Sequence, residues 1–202
     1  MRTNSISPDA KYIELQTIVY TRLTQKYAVD RKLEYDKLNE AVIWALNPDD
    51  AKLLVRSFML DQNIKIDFLS DITAYDNMDH VDGNKRFVLV YQLYSTELHS
   101  RIRIKCLLDE HEQANTLTDV FSGANWLERE VWDLYGITFK NHPNLRRIMM
   151  DERFSGHPLR KEYPIKQREG FSSNVKFNLG ANPLEVNTQI TEGTGSALDG
   201  EK

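Results

Sequence analysis

Hydrophobic residues near the start of the chain recur with the period of a helix. Between Tyr12 and Tyr27 they lie mostly three or four residues apart, with polar and charged residues between them. The hydrophobic positions are Leu15, Ile18, Val19, Leu23 and Tyr27. Because this spacing places them on one side of a helix, it predicts an amphipathic helix over residues 12–27.

A short continuous hydrophobic run comes next. Ala41–Leu46 has the length of a buried strand, and Asn47-Pro48-Asp49-Asp50 follows it directly. Proline is favoured at the first position of a helix, and acidic residues are favoured in the first turn. The pattern therefore predicts a buried strand and then a second helix. The hydrophobic residues of that helix are Leu53, Leu54, Phe58 and Met59.

In the middle of the chain the period changes to two, over residues 64–68 and 101–106. Hydrophobic residues alternate there with charged ones: Ile64, Ile66 and Phe68 with Lys65 and Asp67, and Ile102, Ile104 and Cys106 with Arg101, Arg103 and Lys105. Such alternation predicts strands with one polar face. Phe87–Tyr94 is hydrophobic at both alternating sets, which predicts a central strand, and Asp82-Gly83-Asn84 predicts a hairpin-type turn before it.

A further helix is predicted over Ala124–Tyr135, where Leu127, Val131, Leu134 and Tyr135 form one stripe and Gly136 follows as a C-cap. The order of helix, strand, helix and three strands indicates the α+β class. We predict a two-layer body with a mostly antiparallel sheet and helices on one face, followed by a long extended C-terminal arm.

No helix or strand period is evident after Gly136, and prolines interrupt the chain. Residues 137–165 still carry scattered hydrophobic side chains that could hold an extended strap on a surface. Residues 166–202 are rich in Gly, Asn, Thr and Ser and are expected to form a loosely ordered tail. The predicted organisation is a body over 1–136, a partner-binding strap over 137–165 and a tail over 166–202.

The composition narrows the possible functions. The chain has 202 residues and a formal net charge of -4, which argues against nucleic acid as its main partner. Its one cysteine, Cys106, cannot by itself hold an iron–sulfur cluster, so any redox centre is expected in another chain. We expect a soluble intracellular protein, because no secretory leader follows Met1 and no hydrophobic run has the length of a membrane span.

The charged residues of the last predicted helix could suggest acid–base catalysis. Glu128 and Glu130 point to different sides of a helix, however, and do not face one cleft. We interpret Glu128, Arg129, Glu130 and Asp133 as groups that tie the helix to the following arm through Arg146 and Arg147, because arginine can hold a carboxylate by two hydrogen bonds.

Other candidate sites are weaker still. His142, His157, Asp151 and Glu152 match no compact metal-ligand spacing. Each of these histidines precedes a proline, which predicts an extended or turn conformation with contacts to a neighbour. The basic strip Arg101, Arg103 and Lys105 could meet an acidic partner but is interpreted as the solvated face of a sheet. We find no nucleotide-binding loop and no nucleophile elbow in the sequence.

Two segments resemble a known family. Glu128–Ile137 (EREVWDLYGI) with His142–Met149 (HPNLRRIM), and later Gly156–Pro164 (GHPLRKEYP), closely resemble the thirty-kilodalton subunit of proton-pumping NADH:quinone oxidoreductase, which is respiratory complex I. The resemblance extends over residues 12–165. It implies a structural subunit of the quinone-reducing module of the peripheral arm, in a complex that transfers electrons from NADH to quinone, with no catalytic site of its own.

The resemblance also implies partners and cofactors. The expected partners are the large hydrogenase-related subunit and the subunit with the terminal iron–sulfur cluster. FMN, iron–sulfur clusters and quinone are expected in partner subunits and no cofactor in this chain. The expected location is peripheral, on the cytoplasmic side of the bacterial inner membrane, or on the matrix side for an organelle-encoded subunit. The expected partner-interface or strap-positioning residues are Glu128, Arg129, Glu130, Asp133, His142, Arg146, Arg147, His157, Arg160 and Lys161.

Two alternatives remain open from the sequence. Related subunits occur in membrane-bound energy-converting hydrogenases and ferredoxin-linked complexes, and the chain carries no electron carrier that separates these from the NADH-linked complex. An independent binding module, for example for nucleic acid, would lose affinity steeply with salt.

Overall fold

The strands predicted from the alternating segments form one sheet in the computed structural model, which describes residues 16–36 and 40–164. Some predictions fall outside these residues: the start of the first helix with Tyr12 and Leu15, the end of the strap at Ile165, and the tail 166–202. Residues 137–164 are called the strap from here on.

Five strands lie in this sheet within the described residues: β1 (Leu33–Tyr35), β2 (Ala41–Trp44), β3 (Phe68–Asp76), β4 (Phe87–Ser95) and β5 (Ser100–Leu108). Their order is β1-β2-β5-β4-β3. β2 pairs in parallel with β5, and the other neighbours pair in antiparallel fashion. A small parallel pair is formed by β6 (Gln113–Asn115) and β7 (Thr138–Lys140). The predicted α+β class with a mostly antiparallel sheet is confirmed.

Three helices accompany the sheet in the described part of the chain. α1 covers residues 16–22 and continues as a π-helical turn, Leu23–Tyr27. α2 is Pro48–Leu60, and the Asn47 side chain accepts a hydrogen bond of 2.8 Å from the Asp50 N–H, as an N-cap does. α3 is Ala124–Tyr135 and ends at Gly136, whose φ of 79° suits a residue without a Cβ. The predicted bounds of α3 agree with those observed.

The helices pack on one face of the sheet and bury a continuous core there. Leu23 of α1, Phe58 of α2 and Val131 of α3 share a hydrophobic cluster with Tyr91 of β4 and Ile104 of β5. This is the face that the alternating positions of β5 predicted as apolar. Side chains on the other face form a smaller cluster, Trp44, Val88 and Val90.

Two strand predictions were wrong. Residues 64–67 are not a strand; they form the turn between α2 and β3, where the N–H groups of Ile64 and Lys65 donate to the Asp61 carbonyl oxygen. Ile64 and Ile66 are buried within that turn, which produced the alternating pattern. The prediction of no strand after Gly136 missed β7, because three residues are too few to show a period.

The basic strip on β5 is paired within the chain and is not simply solvated. Arg103 donates hydrogen bonds to Asp36 and Glu40, both at 2.9 Å. Lys105 Nζ lies 4.9 Å from the Trp44 ring centroid. Within the described residues, no helix has the length and hydrophobicity needed to cross a membrane.

Candidate functional site

Helix α3 turns charged side chains toward the interior of the protein. Glu128 and Asp133 are fully buried, and Arg129 is only 5% exposed. The predicted hydrophobic stripe is correct for Val131, whereas the other members of the stripe, Leu127, Leu134 and Tyr135, are half-buried. Buried charges are tolerated only when they are hydrogen-bonded, so each of these groups needs partners from elsewhere in the chain.

The strap supplies many of these partners because it follows α3 from its first turn to its last. His142 Nε2 lies 3.3 Å from the Asn125 carbonyl oxygen near the start of the helix. Near the end, the Leu159 N–H donates to the Leu134 carbonyl oxygen, and Arg160 Nε donates to the Tyr135 carbonyl oxygen at 2.6 Å. The strap thereby caps carbonyl groups that a helix C-terminus leaves without internal partners.

Asp133 is the central contact between helix and strap. Its Oδ2 accepts hydrogen bonds of 2.8 to 3.0 Å from the N–H groups of Ile148, Met149 and Met150. Its Oδ1 accepts one from Arg147 Nη1 at 2.5 Å. Burial by itself would raise the pKa of Asp133, but these donors hold it below its ordinary value of 3.8. The carboxylate is therefore ionised and fixes the local path of the strap.

Arg147 is held by several groups at once. Besides Asp133, its guanidinium donates to the Gly156 carbonyl oxygen at 2.9 Å. It also lies 5.6 Å from the ring centroids of both Trp132 and Phe154. Only 12% of the side chain is exposed. Arg147 thus links the end of α3 to two parts of the strap.

His157 takes part in the same junction. Its Nδ1 lies 3.0 Å from the Asp133 carbonyl oxygen, a geometry in which a protonated Nδ1 donates. Its ring meets Trp132 edge to face at 6.2 Å. Burial lowers the pKa of His157 below its ordinary value.

The end of the strap is tied to the edge of the sheet. Arg160 Nη1 donates to Glu110 at 2.9 Å, and its guanidinium lies 5.2 Å from the Phe87 ring centroid. The Lys161 N–H donates to Asp76 Oδ2 at 2.9 Å, and Lys161 Nζ pairs with Asp79. These contacts join the strap to β3, β4 and the loop after β5.

The sequence predicted that Glu128 pairs with Arg146 or Arg147, but the structure gives it other partners. Its carboxyl group accepts hydrogen bonds of 2.6 Å from Thr116 Oγ1 and from the Leu117 N–H, in the segment after β6. His142 Nε2 lies 3.9 Å away, and neither side chain is exposed. Burial raises the pKa of Glu128 to about 7 and lowers that of His142.

Arg129 contacts the strap at Arg146 and Arg147, through their backbone carbonyl groups and not through their side chains. Its Nε donates to the Arg146 carbonyl oxygen at 3.1 Å and its Nη2 to the Arg147 carbonyl oxygen at 3.3 Å. Glu130 is half-buried, and the Arg146 side chain is exposed. Sequence reasoning missed Trp126, which is 62% exposed on α3. Its position outside the predicted hydrophobic stripe was the available signal, because a residue on the polar side of an amphipathic helix is expected to face away from the core.

The site is rich in polar groups that hold one another in place. No group of three or more His, Cys, Asp or Glu side chains among the described residues is arranged to hold a metal ion. Cys106 is buried on the helix-covered face of β5, and burial raises the pKa of its thiol to about 12. The contacts described above order the strap on the body of the protein.

Comparison with known proteins gives the family. A family model described as "Respiratory-chain NADH dehydrogenase, 30 Kd subunit" matches residues 45–169, which include α3 and the strap. The chain is 40% identical over 146 residues to the C-subunit of NADH-quinone oxidoreductase from Geotalea uraniireducens, covering 72% of this chain and 85% of that protein.

Two further relatives are a mitochondrial subunit and a bacterial subunit named C/D. The 30.4 kDa mitochondrial subunit of NADH-ubiquinone oxidoreductase from Neurospora crassa is 50% identical over 134 residues, covering 65% of this chain and 46% of that protein. The C/D-subunit of NADH-quinone oxidoreductase from Bdellovibrio bacteriovorus is 34% identical over 164 residues, covering 80% and 28%. The chain therefore belongs to the family of the 30-kDa subunit of the respiratory-chain NADH dehydrogenase.

Proposed function

We propose that this chain is a non-catalytic structural subunit of the quinone-reducing module of NADH:quinone oxidoreductase. In this role it binds the large hydrogenase-related subunit and lies beside the subunit that holds the terminal iron–sulfur cluster. FMN, the iron–sulfur clusters and quinone belong to the partner subunits. The family match over residues 45–169 is the observation that carries the proposal.

The geometry of α3 and the strap supports a structural role. Asp133, Arg147 and Arg160 are engaged with groups of the same chain: Asp133 pairs with Arg147 at 2.5 Å, and Arg160 pairs with Glu110 at 2.9 Å. A catalytic acid or base needs access to a substrate, and Glu128 and Asp133 are enclosed by protein. These residues would shape the strap as a rigid surface for a partner, which reduces the entropy lost on binding.

The name of the Bdellovibrio relative supports a close partner. The name combines the letters of two subunits, C and D, and the match covers 28% of that protein. Sequences fused in one organism are expected to meet in space in the assembled complex. We propose that the large subunit is this partner, and that the whole complex associates peripherally with the membrane on the cytoplasmic side in bacteria or the matrix side in mitochondria.

The test is to tag this chain in its native cell, extract membranes gently and identify the co-purifying proteins by mass spectrometry. The eluate is assayed for electron transfer from NADH to a quinone. Flavin- and cluster-bearing subunits with quinone-reducing activity would support the proposal. A nickel–iron hydrogenase set would point instead to the energy-converting complexes, and a chain that purifies alone would contradict both.

The non-catalytic part of the proposal needs its own measurement. Glu128→Gln is introduced, and the turnover number of the isolated complex is measured after its protein and cluster content has been verified. Turnover per intact complex should equal that of the wild type. A loss of turnover in a fully loaded complex would show a direct catalytic role.

A further inference from the structure

One surface beside the strap combines exposed hydrophobic and basic groups. Trp126 is 62% exposed, Met149 is 57% exposed, and the Arg146 side chain is exposed. Arg129 connects Trp126 with Arg146, because its Cζ lies 4.7 Å from the Trp126 ring centroid and its Nε donates to the Arg146 carbonyl oxygen. Met149 follows Arg146 in the strap, and its N–H donates to Asp133. Trp126, Arg129, Arg146 and Met149 are called the Trp126 surface.

The arginines of the Trp126 surface differ from the other arginines of the strap region. Arg147 pairs with Asp133, and Arg160 pairs with Glu110. In the part of the chain that the structure describes, Arg129 and Arg146 have no carboxylate partner; Arg129 donates only to backbone carbonyl oxygens. Arg129 is also 5% exposed. A guanidinium that is largely removed from water without a counter-ion gains considerably from a carboxylate brought beside it.

The geometry points to a partner segment with an acidic and a hydrophobic side chain. We propose that the Trp126 surface binds such a segment of another subunit of the NADH:quinone oxidoreductase complex. A carboxylate of that segment pairs with Arg146 and adds negative charge beside Arg129, while its hydrophobic side chain packs on Trp126. This inference rests on the proposed function and identifies where on the strap the partner binds.

Two features favour an acidic protein segment over other occupants. Tryptophan, arginine and methionine are enriched at protein interfaces, and buried tryptophan and arginine often dominate the binding energy. A nucleic acid would need many cations along its backbone, whereas Glu130 lies one helical turn from Trp126 and the whole chain carries a net charge of -4. The positive charge is therefore confined to the few basic residues of the Trp126 surface, and it matches a segment with one or two carboxylates better than a nucleic acid.

Photochemical crosslinking in the native complex tests the location. A photoreactive amino acid, p-benzoylphenylalanine, replaces Trp126 in the tagged chain, and in a control it replaces Leu60, which is 81% exposed on α2. We expect position 126 to crosslink to a single other subunit, at a peptide that contains Asp or Glu, and position 60 to give no such product. Crosslinks from position 126 only to its own chain, to a second copy or to nucleic acid would overturn the inference.

Charge reversal tests the chemistry. Arg146→Glu should lower the recovery of the chain in the complex about tenfold, as expected for a residue important to binding, without lowering the melting temperature of the purified full chain. Arg56→Glu is the control with the same change of charge, at an exposed arginine on α2 that pairs with Asp119 at the surface, and the melting temperature of this variant is measured as well. Lysine in place of the crosslinked acidic residue of the partner should restore recovery of the Arg146→Glu chain.

Equal recovery of the Arg146→Glu and Arg56→Glu chains would contradict the inference while leaving the proposed function intact. Failure of the wild-type chain to co-purify with the complex would contradict the proposed function, and the inference with it. The two failures are therefore distinguished by the wild-type purification alone.

Discussion

The carboxylate of Asp133 and the guanidinium of Arg147 form an ion pair with Oδ1 and Nη1 2.5 Å apart. Asp133 is fully buried, and 12% of the Arg147 side chain is exposed. The pair joins the last turns of α3 to the middle of the strap, and the other carboxylate oxygen receives neighbouring backbone N–H groups of the strap. One buried carboxylate thus orders a segment without secondary structure.

Removal of this carboxylate charge should destabilise the fold. Asp133→Asn keeps the shape of the side chain but leaves Arg147 without a counter-ion and weakens the hydrogen bonds from the strap. We expect a loss of about 3 kcal/mol in the free energy of unfolding, the range for breaking a buried ion pair. Urea unfolding of the full chain measures this loss. Asp151→Asn is the control, because Asp151 pairs locally with Arg153 at the surface, and an equal effect of both substitutions would contradict the role of Asp133.

The two neighbouring arginines should respond differently to truncation. Arg147→Ala removes an ion pair, a hydrogen bond to Gly156 and contacts with two aromatic rings, so we expect a loss of about 2 kcal/mol or more in unfolding free energy. Arg146→Ala removes an exposed side chain and should change stability by less than about 0.5 kcal/mol. Thermal unfolding of the purified chain distinguishes the two. Similar melting temperatures for the two variants would be inconsistent with the contacts described.

Gly136 and Gly123 provide a matched comparison at the two ends of α3. A Cβ on Gly136 would lie 2.5 Å from Arg160 Nη2 and 2.6 Å from His157 Cδ2, and its φ of 79° strains any L-residue. Gly136→Ala should therefore displace the strap and destabilise the protein by at least about 1 to 2 kcal/mol. Gly123→Ala meets no atom within 4 Å and should be tolerated. Chemical unfolding measures both, and tolerance of Gly136→Ala would show that the strap does not need this close approach.

Glu128 should make stability depend on pH near neutrality. Its pKa is raised from 4.5 to about 7 by burial, so the folded protein binds a proton that the unfolded chain has already released. Its contribution is therefore fully present below pH 4.5 and is lost as pH rises to about 7, with a total change of about 3 kcal/mol. Glu128→Gln removes this titration while retaining an oxygen that can accept from the Leu117 N–H.

The measurement is the unfolding free energy of both proteins between pH 5 and 8. The difference between Glu128→Gln and the wild type removes the contribution of distant titrating groups and reports Glu128 together with its neighbour His142. We expect the variant to gain in relative stability as pH rises. Parallel curves across this range would contradict a raised pKa at Glu128.

Much of the architecture follows from local patterns along the chain. The bounds of α3, the start of α2 at Pro48 and the strand predicted over Phe87–Tyr94 agree with the observed elements. Those signals are local, since a helix or a long strand repeats its buried side many times within one segment. In a short strand such as β7, the alternation of buried and exposed side chains repeats too few times to be recognised. The turn at Ile64 has the same alternation of hydrophobic and charged residues as a strand, although it is not one.

The inward positions of Glu128 and Asp133 could not be read from the pattern of α3. A carboxylate is stable in the interior only if donors surround it, and here the donors come from Thr116, Leu117 and residues 147–150. None of these segments carries a period that places it against α3. The sequence shows that the residues at the junction are charged and aromatic. Long-range packing decides which of them are buried and paired within the chain, and which remain exposed at the surface, as Trp126 and Arg146 do.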